Sequence, residues 1–533
     1  MGGCLSAMAS SEVLLQSNHP AQSVPTDTQR ESRTDPLGHF WIIRELNAIP
    51  EELCHVCGTV KRLAGTVKCT GLRVLLVNPP SPDGQVYIRD VNRSGRLSRE
   101  GTIWPQTSLA LIAAVLDEAG CKVKIEDCIA ERTSYQTLYQ RMQDWKPSHV
   151  LIESVSSTIP HDMVVAHYAK YLGAITILIS PHGEALAEET KRRFPAIDHI
   201  VHYDKHEEPE YAIREAITGI RRQSSDTFET LPAARHDLLP MWHYRLPLIG
   251  DGYTFVLTSR GCPWRCIYCR QTVTWKSRVR YRTPESITEE IRRFRLTNIA
   301  FHADTATVNR KQMLAICEGI KSLPWKVRWI CNSRVDTVDL EMLQTMKAAG
   351  CWMICYGIES GDDRVLAMNK KEATVEDAKR AVKWAKQAGL RVWGYFMLAL
   401  YGDTSGSMQR TIDLACSLPC DIVNFAISAP YPGTEWGRIA SERGWLVDNR
   451  WESYDQNYSA IVDQPSCDHA TVLKFQRRAY LSWYGSWRGV KFLLQAWRPQ
   501  YTRFFWTVIR NHLLSDACHP TQSVAQTTSS VAL

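Results

Sequence analysis

Gly261-Cys262-Pro263-Trp264-Arg265-Cys266-Ile267-Tyr268-Cys269 places three cysteines on one short loop, in a C-x3-C-x2-C spacing. Three thiolates so placed can hold three corners of a cubane iron–sulfur cluster. A four-iron cluster ordinarily takes four cysteine ligands, so this loop leaves one iron open to bind something else. The competing readings are a zinc loop and three ordinary core cysteines. A structural zinc ion wants four ligands, usually as two separated pairs, and no matching fourth ligand lies nearby. A cluster on Cys262, Cys266 and Cys269 is the reading carried forward.

Around this loop the chain alternates apolar runs with helical spacing. Strands are predicted at Thr254–Leu257, Ile299–His302, Val327–Cys331, Trp352–Gly357, Val392–Met397 and Ile422–Ala426, with helices between them, the clearest being Val375–Gln387, ended by Gly389. Six strands with five helices predict a (β/α)6 partial TIM barrel, whose cysteine loop follows the first strand at the carboxyl-end face, where such barrels carry chemistry. Upstream, Leu72–Val77 ends at Asn78-Pro79-Pro80, and helical spacing follows over Ser108–Leu116, stopped by Gly120. Further strands are predicted at Lys122–Ile125, His149–Ile152, Ala174–Ile179 and His199–Val201. Five strands with four helices predict a doubly wound, Rossmann-like α/β domain that binds ligands beyond the carboxyl ends of its strands.

At 533 residues the chain is too long for one ordinary domain. The expected organisation is a mobile extension over 1–70, a Rossmann domain over 71–222, a linker over 223–252 and the barrel over 253–435. A helical, Trp- and Tyr-rich cap over 436–515 and a disordered tail over 516–533 complete it. A short helix is expected near Phe40–Leu46, and Cys54, Cys57 and Cys69 admit a weak metal reading.

The composition is 44% hydrophobic and 22% charged, which suits a globular protein, and the net charge of +7 is not gathered into a basic stripe of the nucleic-acid type. Its densest basic stretch, Arg278-Val-Arg280-Tyr-Arg282, reads as a solvated approach to a helix. Seventeen scattered cysteines, an odd number, argue for a reducing compartment rather than a disulfide framework. No run of eighteen apolar residues predicts a membrane span, and no basic, then apolar, N-terminal stretch predicts a secretory signal. Met1–Ser6 matches the short N-myristoylation pattern, which is common by chance. A cytoplasmic location is expected.

The cysteine loop closely resembles that of the radical SAM enzymes, in which the open iron chelates S-adenosylmethionine and one electron from the cluster releases a 5′-deoxyadenosyl radical. Gly357-Ile-Glu359-Ser360-Gly361 resembles the family's segment lining the SAM site, and Tyr268 the aromatic near the adenine. Asn332 and Arg334, ending the third barrel strand, look like further SAM contacts, and Ala303-Asp304 sits where relatives carry an acidic residue. Arg280-Tyr-Arg282, Met346-Lys-Ala-Ala-Gly350, Lys386-Gln-Ala-Gly389 and Pro430-Tyr-Pro-Gly-Thr434 are similar to the cobalamin-dependent subgroup, class B radical SAM methyltransferases among them. Trp104–Leu116 is similar to its cobalamin-binding half. The resemblance covers about residues 72 to 435, and more loosely Trp497–Tyr501.

Where adenosylcobalamin mutases carry a cobalt-ligating His, this chain has Asn78-Pro-Pro-Ser-Pro-Asp83, as the resembled subgroup also lacks that His. The subgroup's Gly-Gly-Pro-His turn reads Ser180-Pro181-His182 here, and its Gly-Glu-Gly-Glu is Asp204-Lys-His-Glu-Glu208. Ser154, Ser156 and Thr158, with Ser180 and His182, are the candidate cobalamin contacts, against a role in helix N-capping. His182 and His302 are candidate catalytic groups, against ordinary structural roles.

The resemblance implies a cobalamin-dependent radical SAM C-methyltransferase with a [4Fe-4S] cluster, SAM and methylcobalamin. It would methylate an unactivated carbon of a small biosynthetic intermediate, as in antibiotic biosynthesis. Its partners would be that small molecule and a low-potential donor of the flavodoxin or ferredoxin type. An oxidative cyclase resembling the anaerobic magnesium-protoporphyrin ester cyclase, and a non-catalytic cobalamin- or metal-binding sensor, are the alternatives.

Overall fold

The computed structural model describes residues 71–497 apart from 82–83, 90–94, 99–100, 180–185, 203–207, 247–249 and 458–459, together with four strands between 32 and 62. Those four strands, Ser32–Thr34, Phe40–Leu46, Ile49–Cys54 and Val60–Arg62, form an antiparallel sheet of their own in chain order. The helix expected near Phe40–Leu46 is therefore a strand. Its run Phe-Trp-Ile-Ile is aromatic and β-branched, and that preference outweighs a helical period.

The first α/β domain is a parallel sheet of β1 (Arg73–Asn78), β2 (Lys122–Asp127), β3 (His149–Glu153), β4 (Ile175–Ile179) and β5 (His199–Val201), in the order β5-β4-β3-β1-β2. Helices α1 (Thr107–Glu118), α2 (Tyr135–Trp145), α3 (Ile159–Tyr171), α4 (Ala187–Arg193) and α5 (Pro209–Thr218) connect and cover it. Chain order reverses beside β1, and that switch point is where ligands of such sheets sit. Helix α1 is buried from Thr107 to Leu116. It packs against β2 and α5 on one side and against the following sheet on the other, so an amphipathic stripe would leave apolar surface unmatched.

The second sheet is parallel and runs in strict chain order: β6 (Thr254–Leu257), β7 (Asn298–His302), β8 (Arg328–Arg334), β9 (Cys351–Glu359), β10 (Arg391–Leu398) and β11 (Ile422–Ile427). Helices α6 (Pro284–Arg293), α7 (Arg310–Lys321), α8 (Leu340–Ala348), α9 (Val375–Gln387) and α10 (Ser405–Ser417) cover its outer face. Residues alternate cleanly along β10. Val392, Phe396 and Leu398 join the core beneath the helices, while Trp393, Tyr395 and Met397 are half-buried on the inner face.

Beyond the barrel lie α11 (Glu435–Glu442), α12 (His469–Tyr484) and α13 (Trp487–Ala496). Helix α12 covers the open edge of β11. The Phe425 N–H donates to the Tyr480 hydroxyl (3.2 Å), and the Phe425 carbonyl accepts from Gln476 Nε2 (2.9 Å). On the same side, Leu97 N–H donates to Asp455 Oδ2 (2.7 Å) and Asn457 Nδ2 donates back to the Leu97 carbonyl (2.9 Å). Two side chains and a short clasp thus stand in for a neighbouring strand.

Of the basic stretch Arg278–Arg282, Arg278 is exposed as a solvated approach would be, but Arg280 and Arg282 are not. Arg280–Tyr281 pairs antiparallel with Ser259–Arg260. Arg282 is fully buried and donates to Glu290 Oε2 (2.5 Å), while Arg280 pairs with Glu208 (3.1 Å). Glu290 also receives His236 Nε2 (2.8 Å). Burial works to raise the Glu290 pKa, but Arg282 and His236 outweigh it and hold the carboxylate below its usual range. Glu290 lies eight residues on, inside α6, and Glu208 lies far back in the chain, so neither pairing follows from the basic run itself. The expected linker is also packed: Tyr244 is fully buried, its hydroxyl donating to Asp127 Oδ2 (2.6 Å). No described helix is long and apolar enough to cross a membrane. The motif Met1–Ser6, Cys57, Cys69 and the tail 516–533 lie outside the described residues.

If α12 completes the sheet edge, Gln476→Leu leaves the buried Phe425 carbonyl without that donor. We expect the variant to lose roughly 1–3 kcal/mol in denaturant unfolding, whereas the exposed Leu481→Gln on the same helix stays within about 0.5 kcal/mol. Equal effects from both would remove the edge-capping role.

Candidate active site at the carboxyl mouth of the barrel

The cysteine loop is rooted where β6 ends, by the ladder of Ser259–Arg260 against Arg280–Tyr281. Gly261 opens it at φ +92°, and a Cβ there would lie 1.7 Å from the Arg278 carbonyl oxygen. Only glycine allows this close approach. Asp304, just past β7, accepts the Gly261 N–H (2.7 Å), and Thr305 Oγ1 lies 3.8 Å from Cys262 Sγ. The Cys269 N–H donates to the Cys266 carbonyl (3.0 Å) and Ile267 N–H to the Asn369 carbonyl (3.2 Å), which curls the loop back on itself. Cys266 is buried; Cys262 and Cys269 are half-buried.

Burial pushes the Cys262 thiol up, and the Cys266 and Asp304 charges add to it. Cys269 is raised in the same way by burial, then by Cys266 and Cys262. Such thiols hold their protons until a cation replaces them. Among the described residues no three His, Cys, Asp or Glu side chains are gathered to hold a single metal ion. A cubane makes a different demand, because each thiolate binds its own iron. Three cysteines on one loop with no fourth beside them suit that donor set.

At the end of β9, Gly357-Ile-Glu359-Ser-Gly361 forms a bulge: pairing with β10 shifts register between Gly357 and Glu359, and Glu359 adopts φ +70°. A Cβ on Gly357 would meet Glu359 Oε1 at 2.5 Å. Glu359 Oε1 accepts from Lys371 Nζ (2.9 Å). Burial works to lower the Lys371 pKa, but Glu359 and Cys266 outweigh it and the ammonium is held charged. Arg334, ending β8, donates through Nε and Nη2 to Asp336 (2.9 and 2.7 Å) and to the Lys371 carbonyl (2.6 Å). Its guanidinium carbon lies 4.0 Å from the ring centroid of Trp264, inside the cysteine loop. Lys371 and Trp264 escaped the sequence reading. Lys371 lies twelve residues beyond its partner in an irregular turn, and Trp264 stands in the loop with no partner visible in the local sequence.

The remaining expected SAM residues divide. Asn332 is half-buried on the inner face of β8. Ser360 is fully buried, its hydroxyl 3.3 Å from Thr411 Oγ1 and accepting the Asp362 N–H (3.2 Å), so it anchors the bulge from behind. Tyr268 packs with Ile267 against Tyr431 and Trp436 of the Pro430–Thr434 turn and α11, and burial raises its phenol. His302 is buried, its ring 5.7 Å from that of Phe255.

At the mouth of the first domain, Ser154 and Thr158 donate to Asp162 Oδ2 (2.7 and 2.6 Å), and Asp162 pairs with Arg89 (2.7 Å), all fully buried or nearly so. These two hydroxyls hold the domain together rather than face a ligand. Ser156 stays half-buried, and the neighbouring Ser157 Oγ is buried without a hydrogen-bond partner. That orphaned hydroxyl on the loop after β3 is a polar position a cofactor tail fits. Ser180 and His182 lie outside the described residues, as does most of the Asp204–Glu208 turn.

Below the bulge the barrel lumen holds a cavity of about 110 Å3. Trp104 of the first domain packs at its rim against Phe255 with the rings tilted (5.0 Å between centroids), and the Arg96 guanidinium lies over the Trp104 ring (5.3 Å). Tyr484, Phe492 and Leu493 of the cap close its side.

Residues 256–415 match the Radical SAM superfamily. An uncharacterized methyltransferase of Pyrococcus horikoshii is 28% identical over 448 residues, 78% of this chain and 92% of that protein. The anaerobic magnesium-protoporphyrin IX monomethyl ester cyclase of Cereibacter sphaeroides is 24% identical over 66% of this chain and 62% of its own length. Among solved structures, the cobalamin-dependent S-adenosylmethionine radical enzyme OxsB, with aqua-cobalamin and S-adenosylmethionine bound, superposes with a TM-score of 0.58 at 14% identity. The superposition covers 89% of this chain and 79% of OxsB, and it is a likeness of fold.

Gly261→Ala should fold, with an unchanged circular dichroism spectrum, yet take up less than about a tenth of the wild-type iron, because its Cβ collides with backbone. Since both raised thiols must lose protons, iron uptake by the wild type should quicken as pH rises from neutral toward the thiol range. A flat pH profile would mean the thiols are not the receiving groups.

Proposed function

We propose that this chain, whose residues 256–415 match the Radical SAM superfamily, is a cobalamin-dependent C-methyltransferase acting on an unactivated carbon of a small biosynthetic intermediate. The observation that carries this reading is one continuous fold in which a Rossmann domain meets the mouth of a six-stranded barrel bearing the three-cysteine loop. The methyltransferase relationship, over most of both chains, supports the reaction class. When bound, the cluster and SAM would supply a carbon-centred radical and the corrinoid a methyl group.

Cys262, Cys266 and Cys269 would hold the cluster, with Asp304 and Thr305 fixing the start of their loop. Glu359, oriented by Lys371, would accept hydrogen bonds from ribose hydroxyls or an ammonium group of SAM. Arg334 and Lys371 place two cations beside Cys266, and they would balance the charge of a thiolate-ligated cluster. Ser156 and Ser157 would meet the corrinoid tail. The apolar lumen would exclude water from the reacting carbon, as radical chemistry requires. A low-potential flavodoxin or ferredoxin is the proposed electron source. The cyclase relationship favours a second reading, radical ring closure without methyl transfer.

Anaerobic reconstitution with iron, sulfide and hydroxocobalamin tests both cofactors. We expect roughly four irons and one corrinoid per chain after desalting; irons without corrinoid would end the methyltransferase reading. Cys266→Ala should abolish 5′-deoxyadenosine formation under strong reductant. Lys371→Met should keep its iron while SAM affinity falls roughly tenfold, through a freed Glu359; unchanged affinity would remove Lys371 from the site.

A further inference from the structure

The lumen cavity is walled by rings, and its described lining carries one charge. Trp393, Tyr395, Phe255 and Trp104 face it, with Asn332 and Asn424 as amides, and Arg96 is the sole charged side chain among the described residues that line it. No carboxylate stands among the described lining residues to pair an ammonium or guanidinium group, and burying an unpaired cation costs several kcal/mol. Arg96 sits at the rim over Trp104 and can serve one anionic group. Trp393 adds a specific signal. It stands on the lumen face of β10, 5.4 Å from the Tyr395 ring, and its indole N–H is buried with no acceptor among the described residues. A buried donor without a partner calls for an acceptor that the ligand brings. At about 110 Å3 the space is of the order of one ring, an engineered apolar cavity of about 150 Å3 being the size that binds benzene.

We propose that the substrate portion entering this lumen is a flat, ring-bearing group without positive charge, whose carbonyl or ether oxygen accepts from Trp393 Nε1, with at most one anionic group, held by Arg96. It rests on the reading of the lumen as the seat of the carbon substrate. Free amino acids, polyamines and polyphosphorylated compounds are excluded as occupants, because each needs charges the cavity does not answer. The rim contact of Arg96 also gives the ring one orientation, with the acceptor end deep and any acid toward the first domain.

The test is equilibrium binding to the full-length reconstituted protein, without reductant, so that no SAM is cleaved. Acetophenone, ethylbenzene and benzylamine are the probes, with dissociation constants from ligand-observed NMR titration. Acetophenone should bind roughly tenfold more tightly than ethylbenzene, the value of one buried hydrogen bond, and benzylamine should not bind measurably. Trp393→Phe keeps a ring but removes the donor; it should erase the preference for acetophenone and leave ethylbenzene unchanged. Benzylamine binding as tightly as acetophenone, no binding of any probe, or a preference that survives Trp393→Phe would each overturn the proposal. Should Trp393→Phe fail to fold, the wild-type ranking alone decides. Because binding is read without SAM cleavage, failure here leaves the cofactor assignment untouched, and loss of corrinoid binding leaves the ring preference to be judged separately.

Discussion

The sheet of six parallel strands does not close on itself among the described residues, and its two edges, β6 and β11, set the terms for the rest of the molecule. Open edges expose backbone donors and acceptors, and an open seam would flood the lumen. The chain meets this with material from both directions. Tyr253 is fully buried and bonded to the Ile103 carbonyl (2.9 Å), which draws the segment ahead of α1 against β6. Helix α12 supplies Gln476 and Tyr480 to the backbone of β11. The lumen is therefore a space between three sequence regions rather than the inside of a finished barrel, and its chemistry is set by the plugs as much as by the strands.

That construction also sets the carboxyl mouth, where charge gathers, apart from the lumen, whose described lining holds Arg96 as its one charge. Apolar plugs close the lower half of the lumen, so cations there would stay unpaired. At the mouth, Arg334 and Lys371 are both buried, yet each finds a carboxylate, Asp336 or Glu359, and both sit near the cysteine thiols. The two cations are held in place before any ligand arrives, which lowers the reorganisation that binding an anionic centre would otherwise require.

Much of this was legible in the sequence because the signals were local. The strands at Thr254–Leu257 and His199–Val201 and the helix Val375–Gln387 were located to the residue, since apolar runs and Gly389 bound them clearly. The three-cysteine spacing and the Gly357–Gly361 run are likewise short patterns. What stayed hidden was pairing at a distance. Arg282 looked solvated because Glu290 and His236 are brought to it by the fold. Ser154 and Thr158 looked available because Asp162 and Arg89 cannot be seen from β3 alone. Lys371 had no motif, and the Phe40–Leu46 strand was read as a short helix in a stretch without a steady period.

The clasp between Leu97 and residues 455–457 has a consequence for how the molecule is made. Its two halves are separated by 358 and 360 positions in the chain. At about 5–20 residues per second on the ribosome, Leu97 waits tens of seconds for its partners to be synthesised. During that time the first domain is complete, the barrel is growing, and the seam between them stands open. The clasp therefore closes only after every strand of the barrel has been made.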